Sequence, residues 1–459
     1  MRGKVKLTLG VALLCCAMIL VSAVEQPRQG ELQLVDGSVL RGGLSAASTK
    51  DGLAWTHPAS SAPLRFKPEA VGLLRFLQAS GQPTNFNPGT RIRFKNGDEI
   101  LGNLKSMENG KVAIETWFGG VLTAAETGVE AIGFSTRGFR VLYEGPTSMD
   151  GWKTGKNPRP WRYQDGAFIA RGPDLLGRDF GIKGSSSLSF NIAWDAPFSL
   201  SITLYAQQMD RFDYSNGGYI AYIRQGAISL QKSTPVQGAV MLGSAAIPAM
   251  IKKSRMQLEF RCNVEEATIS VYADGVFLAR WKDPAGFAAK GTGFVFYSQT
   301  DGAEIKLSDI RVTEVDGRYE PEPVPADSNG EDVIFLANQD RVRGKVEGLS
   351  GGKFSIKTKV AQLSIPLERV VQVILGGKST NAAPASSAWS VRASFGGGET
   401  VALNIEQWSD RMIFGTSPTF GPVKFQSDAI RLVQFRNMKT GSATDDFEAA
   451  QMEPLDIDP

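Results

Sequence analysis

The feature that most constrains this chain is a short hairpin pattern that recurs four times. It appears first as Leu32-Gln33-Leu34-Val35-Asp36-Gly37-Ser38-Val39-Leu40-Arg41-Gly42, then from Ile92 to Gly102, from Val333 to Gly344, and in weaker form from Val391 to Ala402. Each copy reads as a strand, a tight polar turn and a second strand ending at a small residue. Asp36-Gly37 and Asn96-Gly97 are turn dipeptides that two-residue hairpins favour, because both positions tolerate positive φ. A third apolar strand follows (Val112 to Glu115, Phe354 to Lys357), and a closing run completes each copy: Val71 to Phe76, Val129 to Phe134, Val370 to Leu375 and Ile430 to Phe435. Five short strands in about 45 residues have the size of a small closed barrel, which hides its sheet edges.

The spacing arranges the copies as pair, centre, pair. Gly42 and Gly102 lie 60 positions apart, and Gly344 and Ala402 lie 58 apart. The expected boundaries are 24–80 and 88–137 for the first pair, 138–318 for the centre, 319–330 for a linker, and 331–377 and 389–438 for the second pair. The end, 439–459, is acidic and reads as disordered. The Asn/Asp-Gly hairpin followed by a strand ending in glycine resembles the SH3-like barrels, in particular their Sm-like version.

The first residues have the layout of a secretory signal peptide at 1–23. Arg2, Lys4 and Lys6 precede an apolar run from Leu7 to Val21, and Val21-Ser22-Ala23 presents the small or β-branched residues that a signal peptidase reads. The run is shorter than the ~20 residues a spanning helix needs, and Leu14 before Cys15 does not fit a lipoprotein site. The expected protein is therefore periplasmic, cell-surface or secreted, with no transmembrane segment after cleavage. Cleavage removes 3 of the 50 basic residues and leaves 47 against 47 acids. A balanced chain lacks the basic stripe that nucleic-acid binding requires, so no nucleic-acid partner is expected. Cys262 and His57 are then the only thiol and the only imidazole. An internal disulfide is excluded, and a triad or histidine-rich zinc site would have to use His57, which lies in the turn-like Trp55-Thr56-His57-Pro58.

Between Phe139 and Val315 the strands lengthen and alternate. Leu200, Ile202 and Leu204 oppose Ser199, Ser201, Thr203 and Tyr205. Met256, Leu258, Phe260 and Cys262 oppose Gln257, Glu259 and Arg261. Phe294 and Phe296 oppose Tyr297 and Gln299. Period-two alternation marks half-buried strands, and roughly 180 residues of them with no evident helix fit a two-sheet sandwich. The whole chain thus reads as all-β: a central two-sheet jelly-roll sandwich flanked by two pairs of small barrels.

The central segment resembles the concanavalin A-like jelly rolls, near the laminin-G-like group and the 3-keto-disaccharide hydrolase domain family. The residues that carry the likeness are Gly151-Trp152, Trp161 to Ala167, Ile269 to Gly275, Trp281-Lys282-Asp283, Gly291 to Phe296 and Ser308 to Val312. In place of that hydrolase family's Asn-Ser-Gly-type strand opening and late histidine stand Asn216-Gly217-Gly218-Tyr219 and Tyr297-Ser298-Gln299. The resemblance implies ligand contact on the concave sheet or its rim loops. The outward rows supply Thr203, Tyr205, Glu259, Arg261, Tyr297 and Gln299, and the strand from Tyr219 adds Tyr219 or Tyr222 with Arg224, depending on register. Aromatic faces beside hydrogen-bonding groups suit sugar rings, although the same rows would also form an ordinary solvated face. Trp152, Trp161, Trp194 and Trp281 read as core plugs. Glu259 is the one candidate for a catalytic carboxylate, and Asp210 with Asp213 offers an oxygen-rich loop for Ca²⁺. The expected function is a binding or scaffold protein that recognises a glycan or an envelope protein. The alternative, which rests on resemblance, is a glycoside-cleaving hydrolase.

Overall fold

The computed structural model describes residues 28–435, apart from 37, 77–82, 84, 137, 158–159, 165, 213–217, 235–237, 275, 318–329, 378–386 and 410. The expected signal peptide, the acidic end, nearly all of the 319–330 linker and Asp213 lie outside the described residues.

The four hairpin repeats each open a five-stranded unit. The first contains Arg28–Leu34, Val39–Ser48, Gly52–Thr56, Leu64–Phe66 and Val71–Phe76, and the second runs from Thr90–Phe94 to Val129–Phe134. The third runs from Asp332–Leu336 to Val370–Ile374, and the fourth from Ser390–Phe395 to Ile430–Phe435. In every unit the first four strands pair in sequence, and the last returns to pair with the first. A single turn of 3₁₀-helix precedes each last strand: Pro68–Ala70, Glu126–Gly128, Leu367–Arg369 and Ser427–Ala429. The long second strand shifts register at equivalent places, Leu44/Ala46, Leu104/Ser106, Val346/Gly348 and Ile405/Gln407. A bulge of this kind bends one strand so that its two halves serve two different partners.

The units do not associate as sequence neighbours. The last strand of the first unit pairs with the last strand of the fourth (Leu74↔Val433), and the last strand of the second pairs with that of the third (Ile132↔Val373). Their outer edges are therefore covered by one another, which is an alternative to ring closure for protecting a sheet edge. Apolar side chains of all four units form one continuous cluster. Phe118 stacks on Phe395 between the second and fourth units with centroids 3.9 Å apart, and Phe76 meets Trp408 edge-on between the first and fourth.

The centre is a jelly-roll sandwich. Its seven-stranded sheet runs Lys153–Thr154, Asp174–Asp179, Gly293–Ser298, Ser199–Ala206, Gly218–Arg224, Ala227–Thr234, Gly238–Ala246. Its eight-stranded sheet runs Arg162–Gln164, Ala167–Ala170, Ile305–Glu314, Ser186–Trp194, Arg255–Asn263, Thr268–Ala273, Val276–Lys282, with Arg140–Gly145 paired to Ile305–Glu314. The inward rows predicted from alternation form the core, and Trp152, Trp161, Trp194 and Trp281 plug it as expected. One four-residue helix, Ala249–Lys252, was not evident from the sequence. No helix among the described residues is long and apolar enough to cross a membrane.

Candidate functional site

The register of the seven-stranded sheet lays its outer face out in rows. Arg224, Ser199 and Gln299 form the row at one end: Ser199 pairs with Arg224, and Gln299 donates its backbone N–H to the Ser199 carbonyl at 2.9 Å. The Ser199 hydroxyl in turn donates to Gln299 Oε1 at 2.8 Å. The next row is Tyr222, Ser201, Tyr297 and Leu175, and the third is Ile220, Thr203, Val295 and Gly177. The register settles the choice between the two tyrosines. Tyr222 faces outward beside Ser201, and Tyr219 points into the core, where its hydroxyl donates to Asp283 Oδ2 at 2.9 Å.

The segment after Ser199–Ala206 folds back over part of this face. Met209 joins Leu175, Ala206 and Val295 in a small apolar cluster, and Phe212 stacks on Tyr297 with centroids 4.5 Å apart. Tyr222 and Tyr297 stay half-buried and Arg224 is exposed. Ser201 and Thr203 are fully buried, and neither hydroxyl has a hydrogen-bond partner among the described residues. A buried unpartnered hydroxyl costs about 1–3 kcal/mol, so two of them side by side on a sheet floor are unusual.

Four sequence expectations need correction. Thr203 does face outward, but it is not open to solvent, because Met209 and Phe212 fold over the row it shares with Val295. Tyr205 does not face outward at all. The pairing shifts between Leu204 and Ala206, and Tyr205 takes φ 57°, which turns its ring into the core. There its hydroxyl donates to the Gly184 carbonyl at 2.7 Å, within reach of Ser186 Oγ at 2.8 Å. Simple alternation cannot foresee a bulge of this kind.

Glu259 and Arg261 are also misplaced, since they belong to the other sheet. Their strand, Arg255–Asn263, lies in the eight-stranded sheet, so both side chains project from the opposite outer surface of the sandwich. Arg261 holds Glu259 through two hydrogen bonds of 2.7 and 3.1 Å, Ser187 donates to it at 2.8 Å, and the guanidinium lies 4.1 Å over the Tyr272 ring. Burial would raise the Glu259 carboxyl. Arg261, with Arg91 and the Ser187 hydroxyl, outweighs that and holds it at about 2. Such a group is ionised at neutral pH with both oxygens committed, which does not suit a proton donor.

That opposite surface is where the four-unit assembly docks. Arg311 donates to Glu144 at 2.9 Å and to the Gly398 carbonyl at 3.0 Å. Arg431 of the fourth unit reaches both Glu144 and Asp309, and Arg75 of the first unit donates to the Gly166 carbonyl. Glu399, fully buried in the fourth unit's turn, accepts from Trp117 Nε1 at 3.0 Å while its other oxygen has no partner among the described residues. Burial pushes its carboxyl up to about 7, against the pull of Trp117 and Arg311.

The remaining chemistry is quiet. Burial raises the Cys262 thiol well above its usual range, so it stays protonated. His57 Nδ1 accepts from the Ala59 backbone N–H at 3.2 Å in a turn. Asp210 is exposed on the covering loop, and Asp213 lies outside the described residues. Among the described residues no group of three or more His, Cys, Asp or Glu is placed to hold a metal ion.

No family model matches the chain, and no curated protein matches it significantly. Solved structures similar to it include a carbohydrate binding module, CBM66, from Bacillus subtilis, at 12% identity and TM-score 0.27, covering 36% of this chain and 96% of that one. The carbohydrate recognition domain of Emp47p is similar at 9% identity and TM-score 0.32, covering 38% and 97%. A Bacillus subtilis protein of unknown function with a galectin-like fold is similar at 9% identity and TM-score 0.29, covering 38% and 95%.

Proposed function

We propose that this is an exported glycan-binding protein whose jelly roll takes its ligand on the outer face of the seven-stranded sheet. The observation that carries the reading is the central row, in which half-buried Tyr222 and Tyr297 flank Ser201. Sugar rings offer C–H faces for aromatic stacking and hydroxyls that need hydrogen-bond partners, and such a row supplies both. Ser199, Gln299 and Arg224 extend the polar edge, over a floor formed by the buried Ser201 and Thr203. Tyr205, Glu259 and Arg261 drop out of the proposed site. The four flanking units are read as SH3-like barrels that form a platform under the other sheet and present the binding face away from it. An envelope protein as partner would dock on the same exposed face.

The hydrolase reading draws no support from these rows, whose outward side chains include no carboxylate. The test is a glycan array with the full mature chain, followed by titration of the best hit against Tyr222→Ala and Glu259→Gln. Binding that Tyr222→Ala weakens and Glu259→Gln leaves intact supports the proposal. Binding that only Glu259→Gln disturbs, or no glycan binding at all, contradicts it.

A further inference from the structure

The donor and acceptor inventory of the same face narrows its ligand class, and this step rests on the glycan-binding reading. A neutral sugar hydroxyl both donates and accepts, so a site for neutral sugars needs acceptors as well as donors. The three rows from Asp174–Asp179 to Ala227–Thr234 carry hydroxyls, which donate as well as accept, on Ser199, Ser201, Thr203, Tyr222, Ser229 and Tyr297, amides on Gln231 and Gln299, and one charged group, Arg224, with no Asp or Glu among them.

The end row is the most one-sided. Gln299 Oε1 already accepts from the Ser199 hydroxyl, which leaves the Gln299 amide as a donor. Arg224, on the other side of Ser199, is exposed, and no hydrogen bond or ion pair joins its guanidinium to a described residue. Lys153, paired with Gly177 on the outer strand, adds a second exposed cation across the face. Carboxylates border the face without lying in its rows: Asp179 Oδ1 accepts from the Gly181 backbone N–H in its own turn, Asp210 stands exposed on the covering loop, and Asp301 is exposed two residues beyond Gln299.

We infer that the face recognises an acidic glycan, with a ring against Tyr222 and its anionic group held by Arg224 and the Gln299 amide. A guanidinium meets a carboxylate or sulfate with two parallel hydrogen bonds, and such groups only accept, which matches a donor-rich row. The opposite face of the sandwich supplies the contrast, because every arginine named there already has an acidic or carbonyl partner.

The experiment uses the full mature chain in calorimetric titrations. The probes are an oligogalacturonate of four residues, the same oligomer as its methyl ester, and a sulfated galactan oligomer of equal length. The first and third arms separate carboxylate from sulfate as the source of charge. The expected result is that one or both acidic probes bind at least about ten-fold more tightly than the ester. That preference collapses in Arg224→Gln and weakens with added salt. Equal binding of ester and acid, or an acid preference unchanged in Arg224→Gln, overturns the acidic-ligand inference while leaving the glycan reading in place. Failure of all three probes, in a protein that binds a neutral glycan on the array through Tyr222, also overturns it. No binding to any glycan removes both.

Discussion

The two outer faces of the sandwich start from the same alternating sequence pattern and end in opposite situations. On the eight-stranded sheet the outward row is charged, and its charges are met: Glu259 by Arg261, Arg311 by Glu144, Asp309 by Arg431. On the seven-stranded sheet the central outward row is tyrosine and hydroxyl, with Ser201 and Thr203 unpartnered and Arg224 unpaired among the described residues. The first arrangement holds parts of one molecule together, since each arginine–carboxylate contact satisfies both groups internally. The second leaves Arg224 without an internal partner among the described residues, which is the condition a ligand can relieve. Residue type alone did not separate the two cases; what covers each face did.

The largest expected effect falls on the docked face. Arg311→Met strips Glu144 and the Gly398 carbonyl of a buried partner, and should destabilise the chain by about 3 kcal/mol. The loss should appear as an earlier first transition in chemical unfolding, with oligosaccharide affinity unchanged. A comparable loss of affinity would break the division between the faces.

Glu399 gives an effect of similar size with a defined pH signature. Its folded carboxyl, near 7, lies above the ordinary carboxylate value of 4.5, so the native state binds more protons than the unfolded one between those values. Stability should therefore fall as pH rises from about 4.5 to 7, by roughly 3 kcal/mol in total. In Glu399→Gln the slope across that window should flatten. A slope unchanged in the variant would mean that another group carries it.

Glu259 works in the other direction. Its folded carboxyl, near 2, lies below the ordinary carboxylate value of 4.5, so its contribution is present above about pH 4.5 and is lost as pH falls toward 2. Glu259→Gln should weaken resistance to acid in that window and leave ligand binding alone. Acid titration followed by tryptophan fluorescence reads the first, and calorimetry the second.

The smallest stability change should come from Thr203→Val. Replacing an unpartnered buried hydroxyl by a methyl of similar shape should leave stability level or raise it by up to about 1 kcal/mol. Affinity should stay level, since Met209 and Phe212 cover the hydroxyl; a several-fold drop would mean that this cover opens when ligand binds.

Much of the fold was legible because period-two alternation and Asn/Asp-Gly turns are local signals. Leu200-x-Ile202-x-Leu204 gave the core face of its strand, and the four hairpins gave the four five-stranded units. The partnership of the first unit with the fourth was not legible. It depends on Leu74 meeting Val433 across more than 350 residues, and either strand would satisfy alternation with any partner. In the candidate site, Tyr297, Gln299 and Arg224 stood where the pattern put them. Tyr205 did not, because one bulge reverses a side chain without altering the composition of its strand. Phe212 was missed altogether, since it lies in a loop and nothing in Met209-Asp210-Arg211-Phe212 predicts that its ring will lie on Tyr297. Glu259-x-Arg261 did carry a usable signal, because opposite charges two apart share one face of a strand and can satisfy each other.

The most direct test of a binding face opposite a docking face is hydrogen exchange on the full chain, with and without a saturating oligosaccharide chosen from the array. The account predicts added protection in Ser199–Ala206, Gly218–Arg224 and Gly293–Ser298, with Arg255–Asn263 unchanged. Protection confined to Arg255–Asn263 or to the four flanking units would contradict it.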